Sequence, residues 1–308
     1  MYARRGQVSS SLAGGPFPRV GIVRTDPTAR AQVLAAALLF STAGVVIKAT
    51  SLTAWQISSL RSAVAALVLL LAFRQLPRLT GPTFLVGATI AVTFVTFIAA
   101  NKLTTAAHAI FIQAAAPIYL VVLSPWLLGE RAARRDVPFM ATVLAGLTML
   151  ALSTADASAT ASNPVLGNLL ALLSGVTWAL SLAGLRWLEQ RDTTGMPAVN
   201  ATIWANVIAA VACLPMAWPL DGIGPADWLI VLYLGAFQLG LAYVLLVHGL
   251  RRLTAIETSL LLLLESALNP VWTWMGHGES PGTLGIIGGA LILGATTVRS
   301  LRRSVEIT

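Results

Sequence analysis

One cysteine, three histidines and twelve acidic residues are all that 308 positions offer to redox, metal or acid chemistry. Cys213 has no second cysteine with which to close an intramolecular disulfide. The chain has no CxxC, HExxH, GxSxG or P-loop pattern, which removes the usual signatures of thiol exchange, zinc hydrolysis, acyl transfer and nucleotide binding. No cofactor and no metal are expected. Charge is equally scarce, at 10% of residues, too little to cover a water-soluble globule of this length. The excess of base, +8, does not point to nucleic acid, because basic patches interleaved with aromatics are missing.

What the chain has instead is apolar runs, one after another, in a composition that is 56% hydrophobic. A helix crosses a bilayer with roughly 20 apolar residues. Ten such spans are predicted: Ala31 to Lys48, Ala54 to Phe73, Pro82 to Ala100, Thr105 to Leu128, Val137 to Ser153, Val165 to Leu185, Met196 to Trp218, Ala226 to Val247, Thr254 to Met275 and Gly282 to Val298. The expected fold class is therefore all-α membrane protein, with the lipid bilayer as its main solvent. Residues 1–28, with Arg4, Arg5, Arg19 and Arg24 among glycines, serines and prolines, are expected to form a disordered basic tail without the apolar core of a signal peptide.

Basic residues in the gaps test the count of ten, since cytoplasmic loops are enriched in Lys and Arg and the sides must alternate. Seventeen arginines fall in the tail, in the even-numbered gaps and after the last span, against Lys102 alone in the opposite gaps. Both termini are therefore predicted to be cytoplasmic, in an inner membrane of bacterial type.

The second half of the chain repeats the first. Ala116-Pro117 precedes Glu130 by the same interval as Glu265-Ser266 precedes Glu279, and each acid follows a glycine. Ala35 to Gly44 similarly matches Leu170 to Ala179. Spans one to five and six to ten read as copies, occupying residues 29–153 and 165–303, with an external linker at 154–164 and a short tail at 304–308. An odd number of spans per copy makes the copies inverted. Such repeats place a solute site at the midplane between the halves.

The segments Leu60-Arg61-Ser62, Ala116-Pro117-Ile118, Leu128-Gly129-Glu130-Arg131, Leu239-Gly240-Leu241-Ala242-Tyr243, Asn269-Pro270-Val271-Trp272 and Gly288-Gly289-Ala290-Leu291-Ile292 together resemble the drug/metabolite transporter superfamily and its EamA-type ten-helix exporters. Aromatic amino acid exporters are one close parallel within it. The resemblance implies ten helices as two inverted five-helix repeats around a central cavity, and secondary export of small organic metabolites, amino acids foremost, by alternating access. Ser266 stands where a proline often follows the glutamate, and Gly276-His277 makes the end of span nine unusually polar.

Ionisable groups inside a membrane are costly, so each is a candidate for function. Glu265 lies mid-span, too deep to reach either interface. It is expected to be protonated, paired or open to a cavity, where it would bind a substrate amine or carry a coupling proton. Arg61 is a candidate for a substrate carboxylate, but the reading favoured for it is structural, with the side chain snorkelling outward or clamping helix ends. Gln113, Trp178, Gln238 and Tyr243 are uncharged candidates for the cavity wall, two of the four being expected to line it. Trp272 and Trp274 read as interface anchors. Glu130 and Glu279, beside glycines at helix ends, are expected to cap a following helix or brace a gate, and Pro117 and Pro270 are assigned to gating or helix geometry.

Several alternatives stay open at this point. The same fold imports or equilibrates solutes as readily as it exports them, and sugars, nucleotide sugars or drugs are other substrate classes. A membrane enzyme is disfavoured, because no nucleophile or metal set shares the depth of Glu265. The expected partners are a small-molecule substrate and lipid, with no nucleic acid. A monomer suffices for this architecture, and the sequence assigns no oligomeric state.

Overall fold

A computed structural model describes residues 26–74, 76–130, 137–153, 162–192, 196–277 and 282–305. All regular structure among the described residues is helical. Helices α1 (Pro27–Ser41) and α2 (Ala43–Lys48) form the first predicted span, followed by α3 (Ala54–Phe73) and α4 (Gly81–Leu103). The fourth span is split into α5 (Ala106–Gln113) and α6 (Ala116–Leu127), and α7 (Val137–Ser153) closes the first half. The second half contains α8 (Pro164–Arg191), α9 (Pro197–Ala217), α10 (Pro225–Tyr233), a π-helical segment Leu234–Leu241, α11 (Ala242–Leu250), α12 (Ala255–His277) and α13 (Gly282–Val305).

Each predicted span is thus helical, and seven helical segments are long and apolar enough to cross a membrane: Pro27–Lys48, Ala54–Phe73, Gly81–Leu103, His108–Leu127, Pro164–Arg191, Pro197–Ala217 and Pro225–Leu250. Several predicted boundaries need correction. The first helix starts at Pro27, inside the expected tail; α8 starts at Pro164 and runs on past Leu185 to Arg191; α13 continues to Val305. In α8 and α13 the charged residues end the apolar run without ending the helix, since Arg and Glu are good helix formers.

Local chemistry sets the helix starts. Asp26 accepts from the amides of Thr28 and Ala29, with Pro27 in the first turn. At α3 the Thr53 hydroxyl and the Gln56 side chain cap one another's backbone amides, and Thr80 and Thr83 do the same at α4. Each cap satisfies donors that the first helical turn leaves free.

The distribution of polarity is inverted relative to a soluble protein. Large apolar side chains such as Leu71 (65% exposed), Leu229 (69%) and Trp126 (86%) point outward, while Ser58, Ser62, Thr93, Ser181, Thr202 and Asn206 are buried. Such a surface is stable against hydrocarbon, and Thr93, Ser181, Thr202 and Asn206 bond across or along helices, whereas the Ser58 and Ser62 hydroxyls have no partner among the described residues. Thr93 donates to Thr177 Oγ1 at 2.9 Å, and Ser59 to the Ala210 carbonyl at 2.8 Å, each joining the two halves. Close backbone approach also requires small residues. A Cβ on Gly146 of α7 would lie 2.7 Å from the Gly288 carbonyl of α13, and one on Gly235 would lie 2.7 Å from the Arg61 carbonyl of α3.

Candidate functional site

Three of the helical spans depart from regular α-helix near the centre of the bundle. The first breaks at Thr42, the fourth at Ala114 and Ala115 ahead of Pro117, and the eighth passes through the π segment. Irregular backbone at membrane depth is tolerated where it is buried in protein or lines a cavity, and π segments concentrate at functional positions. Here Phe40 precedes the first break, Gln113 the second, and Gln238 lies in the π segment; all three face the same space.

That space is a cavity with about 390 Å³ of empty volume, part of it open to solvent. All six residues proposed from sequence as substrate contacts line it: Arg61, Gln113, Trp178, Gln238, Tyr243 and Glu265. Two of the four uncharged residues were expected there; the structure brings all four. Sequence reasoning missed Phe40, Thr93, Phe94, Phe97 and Leu239, which complete the wall. Phe94 had a readable signal, since it precedes Tyr243 by the interval that separates Glu130 from Glu279.

Five of the wall residues are aromatic: Phe40, Phe94, Phe97, Trp178 and Tyr243. Tyr243, 1% exposed, meets Phe94, Phe40 and Trp178 edge to face at centroid distances of 5.3, 5.6 and 6.3 Å. Its hydroxyl has no partner among the described residues. Gln113 donates to Ser174 Oγ at 2.6 Å, and Ser174 in turn to the Thr93 carbonyl at 3.3 Å.

The reading favoured for Arg61 needs correction: the side chain is 2% exposed and does not snorkel. Its guanidinium donates to Gln238 Oε1 at 3.3 Å and to the Phe94 carbonyl at 3.4 Å, and lies 5.6 Å from the Phe94 ring centroid. Its Nε has no partner. The inward pull comes from the π segment, which sets Gln238 beside α3 where Gly235 permits close contact. Glu265 is half-buried on α12 and lines both the main cavity and a neighbouring one of about 280 Å³ that Pro117 also borders.

A set of ion-paired charges gathers at one end of the bundle, where the arginines of the first, sixth and eighth spans lie. Arg30 pairs with Glu257 at 2.8 Å, Arg186 with Glu130 at 3.0 Å, and Arg251 with Glu189 at 2.9 Å. Arg252 pairs with Asp26. The second oxygen of Glu130 accepts from the Ala255 amide at 3.1 Å, at the start of α12. Glu130 therefore ties α6, α8 and α12 together. Glu279, assigned the matching role, lies outside the described residues. Pro270, within α12, sits between Asn269 and Trp272, which donate to the Ser41 carbonyl and hydroxyl at 3.2 and 2.8 Å. Trp272 is accordingly a tie to the break in the first span, beyond the anchor role expected of it. Among the described residues no group of three metal-ligating side chains occurs.

Three comparisons bear on this architecture. The EamA-like transporter family matches residues 29–152 and again 165–301. The pseudopaline exporters CntI of two Pseudomonas aeruginosa strains, UCBPP-PA14 and PAO1, are each 27% identical over 268 residues, covering 84% of this chain and 90% of theirs. A solved crystal structure superposes with a TM-score of 0.72 at 23% identity, over 92% of this chain and 100% of its own, and so shares the fold.

Proposed function

Because the chain belongs to the EamA-like transporter family, we propose that it is a secondary transporter that exports small organic metabolites, amino acids foremost, by alternating access. The observation that carries this reading is the central cavity, walled by Phe40, Arg61 and Gln113 from the first half and by Trp178, Gln238 and Glu265 from the second. A site shared by two halves is one that rocking of one half against the other exposes to each side in turn.

The packing supports ten spans arranged as inverted repeats. The first span packs on the eighth and ninth as the sixth packs on the third and fourth: α1 against α11 and α12, and α8 against α4, α5 and α6. The helices α3 and α9, which are counterparts, pack on each other, as do α7 and α13. Five spans per half is odd, so the relation is an in-plane half-turn. The arginine distribution supports cytoplasmic termini, and likeness to the pseudopaline exporters supports outward transport. Family and relatives alike favour transport over catalysis.

The test is efflux from vesicles reconstituted with the purified chain and loaded with each labelled amino acid, with and without a proton gradient. Time-dependent, protein-dependent loss of at least one amino acid is expected. Loss of none, alongside efflux of a different solute class, overturns the amino acid assignment; movement of no solute at all overturns the transporter reading.

A further inference from the structure

We infer that the central cavity is a zwitterion site, in which Arg61 takes a carboxylate of the solute, Glu265 takes its ammonium group, and the rings around Tyr243 take its apolar side chain. This deepens the transporter reading above and rests on it.

The inference starts from an asymmetry in how the protein treats buried charge. At the arginine-rich end, Arg30, Glu130, Arg186, Glu189 and Glu257 are all ion-paired. In the cavity the opposite holds. Arg61 has five N–H donors, of which the structure engages two in long bonds to neutral oxygens and leaves Nε without a partner. Among the described residues, no carboxylate comes within ion-pairing distance of Arg61, and no cation or hydrogen-bond donor reaches the carboxylate of Glu265. A guanidinium and a carboxylate at membrane depth are each expensive to leave in this condition.

The two charges line one cavity of about 390 Å³ without meeting each other. A ligand that carries both charges completes both groups and leaves the site neutral. An anion alone would satisfy Arg61 but face Glu265 as a like charge; a cation alone would satisfy Glu265 and face Arg61. Selectivity therefore comes from rejection as much as from attraction. The same cavity is lined by Phe40, Phe94, Trp178 and Tyr243, which offer area to an aromatic or branched aliphatic side chain.

Equilibrium binding to the detergent-purified full chain tests this with two matched sets of probes. One is L-phenylalanine, phenethylamine and 3-phenylpropionate; the other is L-leucine, isoamylamine and 4-methylpentanoate. In at least one set the zwitterion is expected to bind about tenfold or more tightly than either single-charge analogue, the size of a lost charge-assisted hydrogen bond. Arg61→Gln should abolish the preference for the amino acid over its amine, and Glu265→Gln the preference over its acid. Should R61Q fail to fold, R61K, which replaces the fork by a point charge, should weaken the amino acid and leave the amine unchanged. The inference is overturned if the single-charge analogues bind as well as the zwitterion, if neither zwitterion binds, or if the substitutions leave the preferences intact. The vesicle assay above separates these failures from failure of the transporter reading, because efflux of any solute preserves the latter.

Discussion

The ring of Phe94 meets the ring of Tyr243 edge to face, with centroids 5.3 Å apart. The two residues are separated by the interval that separates Glu130 from Glu279, so in the proposed repeat they are counterparts that touch. Tyr243 is also the ring on which Phe40 and Trp178 converge. Tyr243→Ala is expected to cost about 3–5 kcal/mol, the range for deleting a buried aromatic. Tyr243→Phe keeps the ring and removes a hydroxyl that has no partner among the described residues, and should melt close to wild type. Thermal melting in detergent checks both.

Glu130 holds three helices at the arginine-rich end through Arg186 and the Ala255 amide. Glu130→Gln strands a largely buried guanidinium, and removing one partner of a buried pair costs about 3–5 kcal/mol. The variant should melt lower than wild type. Because the bonds lie away from the cavity, its affinity for the tightest-binding probe should change less than that of Glu265→Gln.

The Arg252 guanidinium, by donating a hydrogen bond to Asp26, and the Ala29 amide together hold the Asp26 carboxyl below the ordinary carboxylate value. A folded value lower than the unfolded one gives stabilisation that is present above the unfolded value and is lost as the pH falls through the folded one. Melting curves from neutral pH down to about pH 3 should therefore show a steeper acid decline for wild type than for Asp26→Asn. Equal declines would show that the pair contributes nothing to folding.

Gly146 faces the Gly288 carbonyl so closely that a Cβ would sit 2.7 Å from it, and 2.8 Å from the Ile292 side chain. Gly146→Val should separate α7 from α13 and destabilise the chain by about 1–3 kcal/mol, as overpacking does. Gly294→Ala, where a Cβ meets nothing within 4 Å, is the control in the same melting assay and should be near neutral.

Reporter fusions at Thr308 are expected to be active only with a cytoplasmic reporter, since seventeen arginines lie on the side assigned to the termini. Activity of a periplasmic reporter alone would reverse the orientation and place the ion-paired end outside.

Helix existence was legible from the chain because it depends on a local quantity, the length of each apolar run, whereas the starts at Pro27 and Pro164 were not read from it. The six cavity residues were legible for a related reason, since a charged, amide or aromatic group at mid-span has few destinations other than an interior space. Depth along a helix follows from counting residues. Rotation about the helix does not, and it was rotation that decided Arg61. Nothing in Leu60-Arg61-Ser62 distinguishes a side chain that snorkels from one that turns inward. The π segment, which carries Gln238 and packs against α3, leaves no local pattern that marks it in advance. The partners of Glu130 lie on α8 and α12, far along the chain; a carboxylate beside Gly129 reads locally as a cap, and only the approach of distant helices shows which amide and which guanidinium it reaches. Spans, depth and candidate groups were thus properties of the sequence, because burying apolar length in lipid is decided residue by residue. Which groups meet, and which two ionisable groups are left facing one cavity without an oppositely charged partner, was decided by the tertiary structure, because pairing depends on helices that neighbour one another only after the halves have packed.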